Sequence, residues 1–306
     1  MSLGPPRFDR AFDPRHGEAV RLSPLVRRVT VRNPGPFTFH GTNTYLVGDR
    51  DLAVIDPGPD YPAHREALLD AIGPARVAAI LVTHTHRDHS PGARALAALT
   101  GAPVYGEGPH RPARPLNLGE INPLDASGDK DFVPDRKLSD GQSVAGQGWT
   151  LTALATPGHC ATHLAFAFPE EEALFSGDHV MAWSTSIVAP PDGAMRDYMA
   201  SLERLVGRSE TVYWPGHGGP VRDPQDFVAA LKAHRLGREK AVLDRVAAGD
   251  DTIPAMVSVI YADVDRALHG AAALSVLAHV EDLAERGLIR ADGPVSLQAT
   301  YRLARD

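Results

Sequence analysis

The run Thr83-His84-Thr85-His86-Arg87-Asp88-His89 places three histidines and a carboxylate within the six positions 84–89. A buried neutral imidazole needs hydrogen-bond partners, and several packed together need many, so a purely structural core would not choose this cluster. Imidazole and carboxylate in one turn suit a transition metal, Zn2+ first, with Mn2+ or Fe2+ also compatible. The close spacing lets alternate side chains diverge, so one turn can feed two adjacent ions. Three further segments offer ligand types in a repeated context: Thr156-Pro157-Gly158-His159, Ser176-Gly177-Asp178 and Pro215-Gly216-His217-Gly218. Each follows an apolar run, and each sets a glycine beside the ligand. One such turn means little, but four obeying the same rule point to a shared site.

The elements that must position these turns are short strands. Val26–Val31, Thr44–Val47 and Leu52–Asp56 are β-like runs separated by turn residues. Val77–Val82 is nearly all apolar, as suits a strand buried on both faces, and leads directly into the histidine cluster. Thr150–Ala155, Leu164–Phe168, Ala173–Phe175 and Thr211–Trp214 are further strands. Arg65–Ile72 and Asp197–Val206 read as helices, and Ser90-Pro91 as the N-cap and first position of another. Ligands therefore fall at the carboxyl ends of strands, where α/β proteins gather their sites. Residues 106–140 hold Pro, Gly and Asp throughout, and a loop that long is usually functional or mobile. Beyond residue 220 the chain turns helical: Phe227–Ala247, Ile253–Tyr261 and Ala272–Arg286, the last with Ala273, Val276, Leu277, Val280, Leu283 and Ala284 on one face. Leu288–Arg290 and Val295–Leu303 then read as the two strands of a wing.

Composition excludes several classes. The 306 residues carry a formal net charge of −7, with 43% hydrophobic and 23% charged, as in an ordinary folded protein. The length suits one large domain or one with a smaller companion. No run of about 18 apolar residues offers a membrane span, and the Pro- and Arg-rich first residues lack an apolar secretory core, so a cytoplasmic protein is expected. The single cysteine, Cys160, rules out an internal disulfide. From residue 221 onward, 11 Lys and Arg face 13 Asp and Glu, a net charge of −2. Glu281, Asp282 and Glu285 are expected on the exposed face of the helix that would read DNA, where they would repel phosphates. No sequence-specific DNA binding and no membrane association are expected, and the oligomeric state is left open.

The set THTHRDH, TPGH, SGD and PGHG resembles the metallo-β-lactamase superfamily over roughly Val26 to Gly219. The resemblance implies a mixed α/β fold, a four-layer αβ/βα sandwich over residues 1–220, followed by a small helical winged-helix domain over 221–306. It also implies that His84, His86 and His159 hold one metal ion, that Asp88, His89 and His217 hold a second, and that Asp178 bridges them. Two zinc ions per chain are expected. Such a pair, about 3.5–4 Å apart, makes water nucleophilic at neutral pH, and Asp88 can orient it and accept its proton. Asp178 stands where the best-known antibiotic-hydrolysing subclasses carry cysteine.

Asp56, before Pro57-Gly58, is a candidate for holding the ligand turn through hydrogen bonds. His163 is expected as structural support, Cys160 as a small buried residue, and Asn43 as a turn or rim residue. His40, His64, His110, His179, His234, His269 and His279 are expected as surface or packing residues, and Arg111 and Arg114 as solvated loop charges. Phe39–Gly48, Asp197–Leu202, and His234-Arg235 with Arg238-Glu239 resemble the lactamase-like endoribonuclease branch, which also carries a C-terminal winged helix. Cys160-Ala161-Thr162 departs from that branch. The expected function is metal-dependent hydrolysis with the substrate unassigned. Single-stranded RNA and small esters or thioesters compete as substrates, and β-lactams rank last.

Overall fold

A computed structural model describes residues 4–117, 120–122 and 124–304. The first sheet runs in chain order: β1 (Val20–Arg21), β2 (Val26–Thr30), β3 (Asn43–Val47), β4 (Asp51–Ile55), β5 (Arg76–Leu81), β6 (Val104–Gly106) and β7 (Arg136–Lys137). Its first four strands form an antiparallel meander, and β4 to β7 pair in parallel. Parallel neighbours need crossovers. Helices α1 (Pro62–Ile72) and α2 (Gly92–Thr100) supply the first two. The second sheet contains β8 (Ser143–Gly146), β9 (Trp149–Ala155), β10 (Leu164–Phe168), β11 (Ala173–Gly177), β12 (Val212–Pro215) and β13 (Val221–Arg222) in the order β13-β12-β11-β10-β9-β8. Helix α3 (Met195–Leu205) links the parallel pair β11 and β12.

Side-chain alternation along each strand builds the layers. Tyr45, Val47, Ile55 and Leu81 face inward and meet Trp149, Leu151, Phe166, Phe175 and Trp214 from the second sheet. Their neighbours Leu46, Val54 and Ile80 point outward, onto Leu68 and Ile72 of α1 and Leu96 of α2. On the far side Leu174 and Tyr213 pack under Tyr198 and Leu202 of α3. The result is the helix–sheet–sheet–helix sandwich that the sequence motifs imply.

The chain continues into α4 (Pro224–Ala247), α5 (Ile253–Ile260), α6 (His269–Glu285) and the hairpin β14 (Ile289–Ala291) with β15 (Tyr301–Leu303). The start of α4 belongs to the outer layer of the second sheet, because Val228 and Leu231 join the α3 cluster. Its far end, with Val242 and Val246, shares a separate core with α5, α6 and the hairpin. Among the described residues no helix is long and apolar enough to cross a membrane.

Three expectations change in space. Ser90 does not cap a helix: α2 starts at Gly92, and the Ser90 hydroxyl donates to Asp129 Oδ2 at 2.6 Å, with the His86 carbonyl 3.2 Å from the same hydroxyl. The expected second wing strand is shorter, since Val295 and Leu297 turn into the C-terminal core and only Tyr301–Leu303 pairs. The acidic stripe of α6 faces solvent only at Glu285. Glu281 pairs with Arg114, Asp282 is buried at 8% exposure, and Arg196 reaches Glu285 at 2.7 Å, so α6 lies against the sandwich. Arg114 is accordingly no solvated loop charge, and it also pairs with Glu120 at 2.7 Å. Arg111 stays exposed and pairs with Glu107.

Candidate metal centre

The four ligand-bearing turns meet at one edge of the sandwich. The cluster 84–89 follows β5, His159 follows β9, Asp178 follows β11 and His217 follows β12. His86 Nδ1 lies 3.0 Å from His84 Nε2 and 3.0 Å from His159 Nε2. His89 Nε2 and His217 Nε2 are 3.4 Å apart, and each is 3.2 Å from Asp88 Oδ2. Asp178 lies between the two groups, with one carboxylate oxygen 3.5 Å from His89 Nε2 and the other 3.7 Å from His159 and 3.2 Å from His217. Within His84–His86–His159, and again within Asp88–His89–His217, the ligand-type atoms lie no more than 4.8 Å apart.

The second nitrogen of each ring shows which atoms carry lone pairs. His159 Nδ1 donates to the Ile187 carbonyl at 2.7 Å, and His217 Nδ1 to the Gly41 carbonyl at 3.2 Å. His86 Nε2 donates to Asp192 at 2.7 Å, and His89 Nδ1 to Asp56 Oδ2 at 2.9 Å. The Thr83 hydroxyl spends its proton on Asp56, so His84 Nδ1 donates to that oxygen at 3.0 Å. Tautomers assigned from this network leave His84 Nε2, His86 Nδ1 and His159 Nε2 as three lone pairs facing one another. Lone pairs so close repel unless an electrophile sits among them. Asp178 Oδ1 is buried without a hydrogen-bond partner, which is a second unbalanced acceptor at the same place. Donor set and orphaned oxygen both fit a cation.

Electrostatics divide the site. Burial, reinforced by the neighbouring imidazoles, pushes His84 well down and His159 down to about 4, so both are neutral donors at pH 7. For His89 and His217 burial also favours the neutral form, but the carboxylates of Asp88 and Asp178 outweigh it. His89 is held well up, and His217 is pushed up to about 9. Conversely, burial would raise Asp88 and Asp178, and the facing imidazoles hold both well down. A cation among Asp88, His89 and His217 would thus displace protons, whereas one among His84, His86 and His159 meets His84 and His159 already neutral.

Asp56 lies beneath the ligand turn. It accepts from the Thr83 amide and hydroxyl, both at 2.7 Å, and from His89. His163 does not enter the ligand groups: its Nε2 accepts from the Asp178 amide at 3.1 Å and its Nδ1 donates to Thr156 at 2.8 Å. Asn43 is buried and staples the two sheets, donating to the Pro215 carbonyl at 3.1 Å and the Gly218 carbonyl at 2.9 Å. His64 is likewise interior, with Nε2 2.9 Å from Thr44 Oγ1. Cys160 is fully buried, and burial pushes its thiol up to about 11. Sequence reading missed Asp192, Thr83 and Ser186. Asp192 stands in Pro190-Pro191-Asp192-Gly193, with no local pattern to mark it as a partner of His86.

Gly216 is required by close approach, because a Cβ there would stand 2.3 Å from Asp178 Oδ1 and 2.7 Å from His89 Cε1. Gly216→Ala is therefore expected to spread the two groups and reduce bound metal by at least half. Elemental analysis of folded variant protein checks this, and wild-type metal content would refute the crowding argument.

Ligand-type side chains gathered at the strand ends of an αβ/βα sandwich define the class, a metal-dependent hydrolase fold. The chain belongs to the metallo-beta-lactamase superfamily, whose family pattern matches residues 37–217, and residues 252–294 match the beta-lactamase associated winged helix domain. It is 31% identical over 283 residues to the Beta-lactamase-like protein 2 homolog of Caenorhabditis elegans, covering 90% of this chain and 89% of that one. It is 30% identical over 229 residues to the atrochrysone carboxyl ACP thioesterase dmxR1 of Cryptosporiopsis sp. (strain 8999), which covers 74% of this chain and only 64% of that protein's length. Among solved structures, a metallo-beta-lactamase family protein from Thermus thermophilus superposes with a TM-score of 0.73 at 26% identity, over 92% of this chain and 100% of that one. The protein is thus an enzyme of a hydrolase superfamily.

Proposed function

We propose that the chain is a dinuclear, zinc-dependent hydrolase of esters or thioesters whose acyl part is apolar. One observation carries the substrate class. A cavity of about 360 Å3 opens on His86, Asp88, His159, Asp178 and His217, and its walls are mainly apolar, with Phe37, Tyr61, Leu124, Ile187, Ala271 and Leu274 beside the polar Asn33, Thr38 and Ser127. Arg87 is the one arginine or lysine among its described lining residues, and its Nε is tied to the Gly128 carbonyl at 3.2 Å. Phe37 and Tyr61 could stack bases, but a single-stranded RNA track also calls for several cations along its length. An uncharged acyl chain needs only the apolar wall. The relative named as a thioesterase supports the same reading.

Five imidazoles and two carboxylates suit zinc best, with manganese or iron compatible. Bound there, two divalent cations supply an ionised water near neutral pH and an electrophilic partner for developing negative charge. The chain's own groups do the rest. Asp88 is the most exposed of the ligand-type residues on the cavity, at 27% of its side chain, and accepts from the Thr42 hydroxyl at 3.3 Å. Its carboxylate can orient an attacking water and take its proton. His86 and His159, gripped from behind by Asp192 and Ile187, cannot turn away as charge shifts. We assign catalysis to residues 1–220 and substrate shaping to 221–306, since α6 contributes Ala271 and Leu274 to the cavity wall.

The test is a comparison of zinc-loaded protein on octanoyl and acetyl thioesters, p-nitrophenyl esters, single-stranded RNA and a chromogenic cephalosporin. Octanoyl thioester turnover is expected to lead. Leu274→Ala is expected to lower kcat/KM for octanoyl about tenfold, from roughly 1–2 kcal/mol of lost apolar contact, and to leave acetyl unchanged. RNA cleavage that vanishes in a ligand variant, with no thioester turnover, would reverse the assignment.

A further inference from the structure

The paired residues His234-Arg235, singled out in the sequence, have no part in the site described so far. Arg235 rises from α4 and is only 3% exposed. Its guanidinium donates to the Ser186 carbonyl and to Ser275 Oγ on α6 at 3.2 Å, and lies 5.0 Å from the centre of the Tyr198 ring. Among the described residues no carboxylate pairs with it, and its Nε has no hydrogen-bond partner. A buried, unpaired guanidinium is costly, and a packed apolar side chain would be cheaper there.

The segment it grips explains the cost. The Ser186 hydroxyl donates to the Asp178 carbonyl. The Ile187 carbonyl accepts from His159 Nδ1 at 2.7 Å, and Asp192 a few residues later accepts from His86 Nε2 at 2.7 Å. One stretch, 186–192, therefore touches three of the ligand-type residues from behind, and Arg235 is its anchor to α4 and α6. Neighbouring Arg238 makes a comparable set of bonds with no route to the site: it donates to the Ile260 carbonyl at 2.9 Å and covers the Tyr261 ring.

We propose that Arg235 is a positioning residue of the metal centre, holding Ser186–Ile187 and through them the Asp178 backbone and the His159 imidazole, so that seating of α4 and α6 on the sandwich sets the ligand geometry. The inference rests on the metal-site reading above. Positioning groups one layer behind metal ligands typically govern affinity by about 10–100-fold.

The test uses the full chain and three measurements: zinc affinity by chelator competition, the visible spectrum of cobalt-loaded protein, and the thermal midpoint of metal-free protein. Arg235→Met is expected to weaken zinc binding by about 10–100-fold and to shift the cobalt bands. Arg235→Lys is expected to recover part of the loss, because an ammonium still donates to Ser186. Arg238→Met is expected to lower the thermal midpoint while leaving affinity and spectrum unchanged. Wild-type affinity and spectrum in Arg235→Met, or an equal affinity loss in Arg238→Met, overturn the proposal. Should Arg235→Met not fold, Ser186→Ala deletes only the hydroxyl on the Asp178 carbonyl. It is expected to bind zinc about tenfold more weakly, and wild-type affinity there overturns the proposal equally. Normal zinc uptake by wild type beside an unaffected variant refutes this inference alone, whereas no uptake by wild type refutes the metal reading beneath it.

Discussion

Asp178→Ala is expected to lower hydrolysis on the order of 10³-fold or more and to remove at least one metal ion per chain. Asp178 is the carboxylate that reaches both halves of the site, approaching His159 on one side and His89 and His217 on the other. Without it, the site would lose the carboxylate shared by its two ligand groups and with it the metal that those groups would hold, and several kcal/mol of transition-state stabilisation would go, at tenfold per 1.36 kcal/mol. Metal content and turnover should fall together. The same logic predicts the response to metal removal. A ligand held at a thousandfold its dissociation constant adds about 4 kcal/mol of stability. Chelation should therefore lower the thermal midpoint of wild type by several degrees and that of Asp178→Ala much less. A variant that keeps two metals and wild-type turnover would show that Asp178 is not the bridge.

The ligand-type residues that converge were legible because each follows an apolar strand, with a glycine beside the residue in three of the four turns and a dense histidine run in the other. Strand alternation likewise announced which faces would meet, as at Tyr45-Leu46-Val47. What surrounds the ligands was not legible. Asp192 reaches His86 across 106 positions of chain, and Ser186 acts on a carbonyl, which any residue type possesses. Ser90 read as a helix cap because its neighbour is proline, yet its hydroxyl is taken by Asp129 from the long loop. In each case the decisive partner is distant in sequence, and local propensity holds no information about it.

The winged-helix segment shows the same limit with a functional consequence. From sequence, Glu281 and Asp282 argued against DNA binding as an exposed acidic face. In the structure Glu281 and Asp282 meet Arg114 and Arg196 on the sandwich side, and Glu285 is the member of that face left exposed. The acidic face therefore weighs less against DNA binding, and the helix has a different visible role: Ala271 and Leu274 line the cavity beside Asp88.

Asp56→Ala is expected to damage folding and metal binding at once, which separates Asp56 from the ligands proper. Its carboxylate, 2% exposed, takes three hydrogen bonds: two from Thr83 and one from His89. It also stands in the left-handed region at φ 50°, which aspartate tolerates better than alanine. Removing it strands buried donors at about 1–3 kcal/mol each, so a loss of about 3–5 kcal/mol in metal-free protein is expected. It also frees His89 to turn, which should weaken zinc binding by about 10–100-fold. Asp56→Asn is the sharper probe. Its shape is preserved, but its NH2 group must face the Thr83 or the His89 donor, so one of these bonds becomes a clash of hydrogens. Denaturant unfolding of the metal-free proteins and chelator competition together decide the matter. If both variants keep wild-type midpoints and zinc affinity, Asp56 is merely a turn residue and the ligand cluster is held by something else.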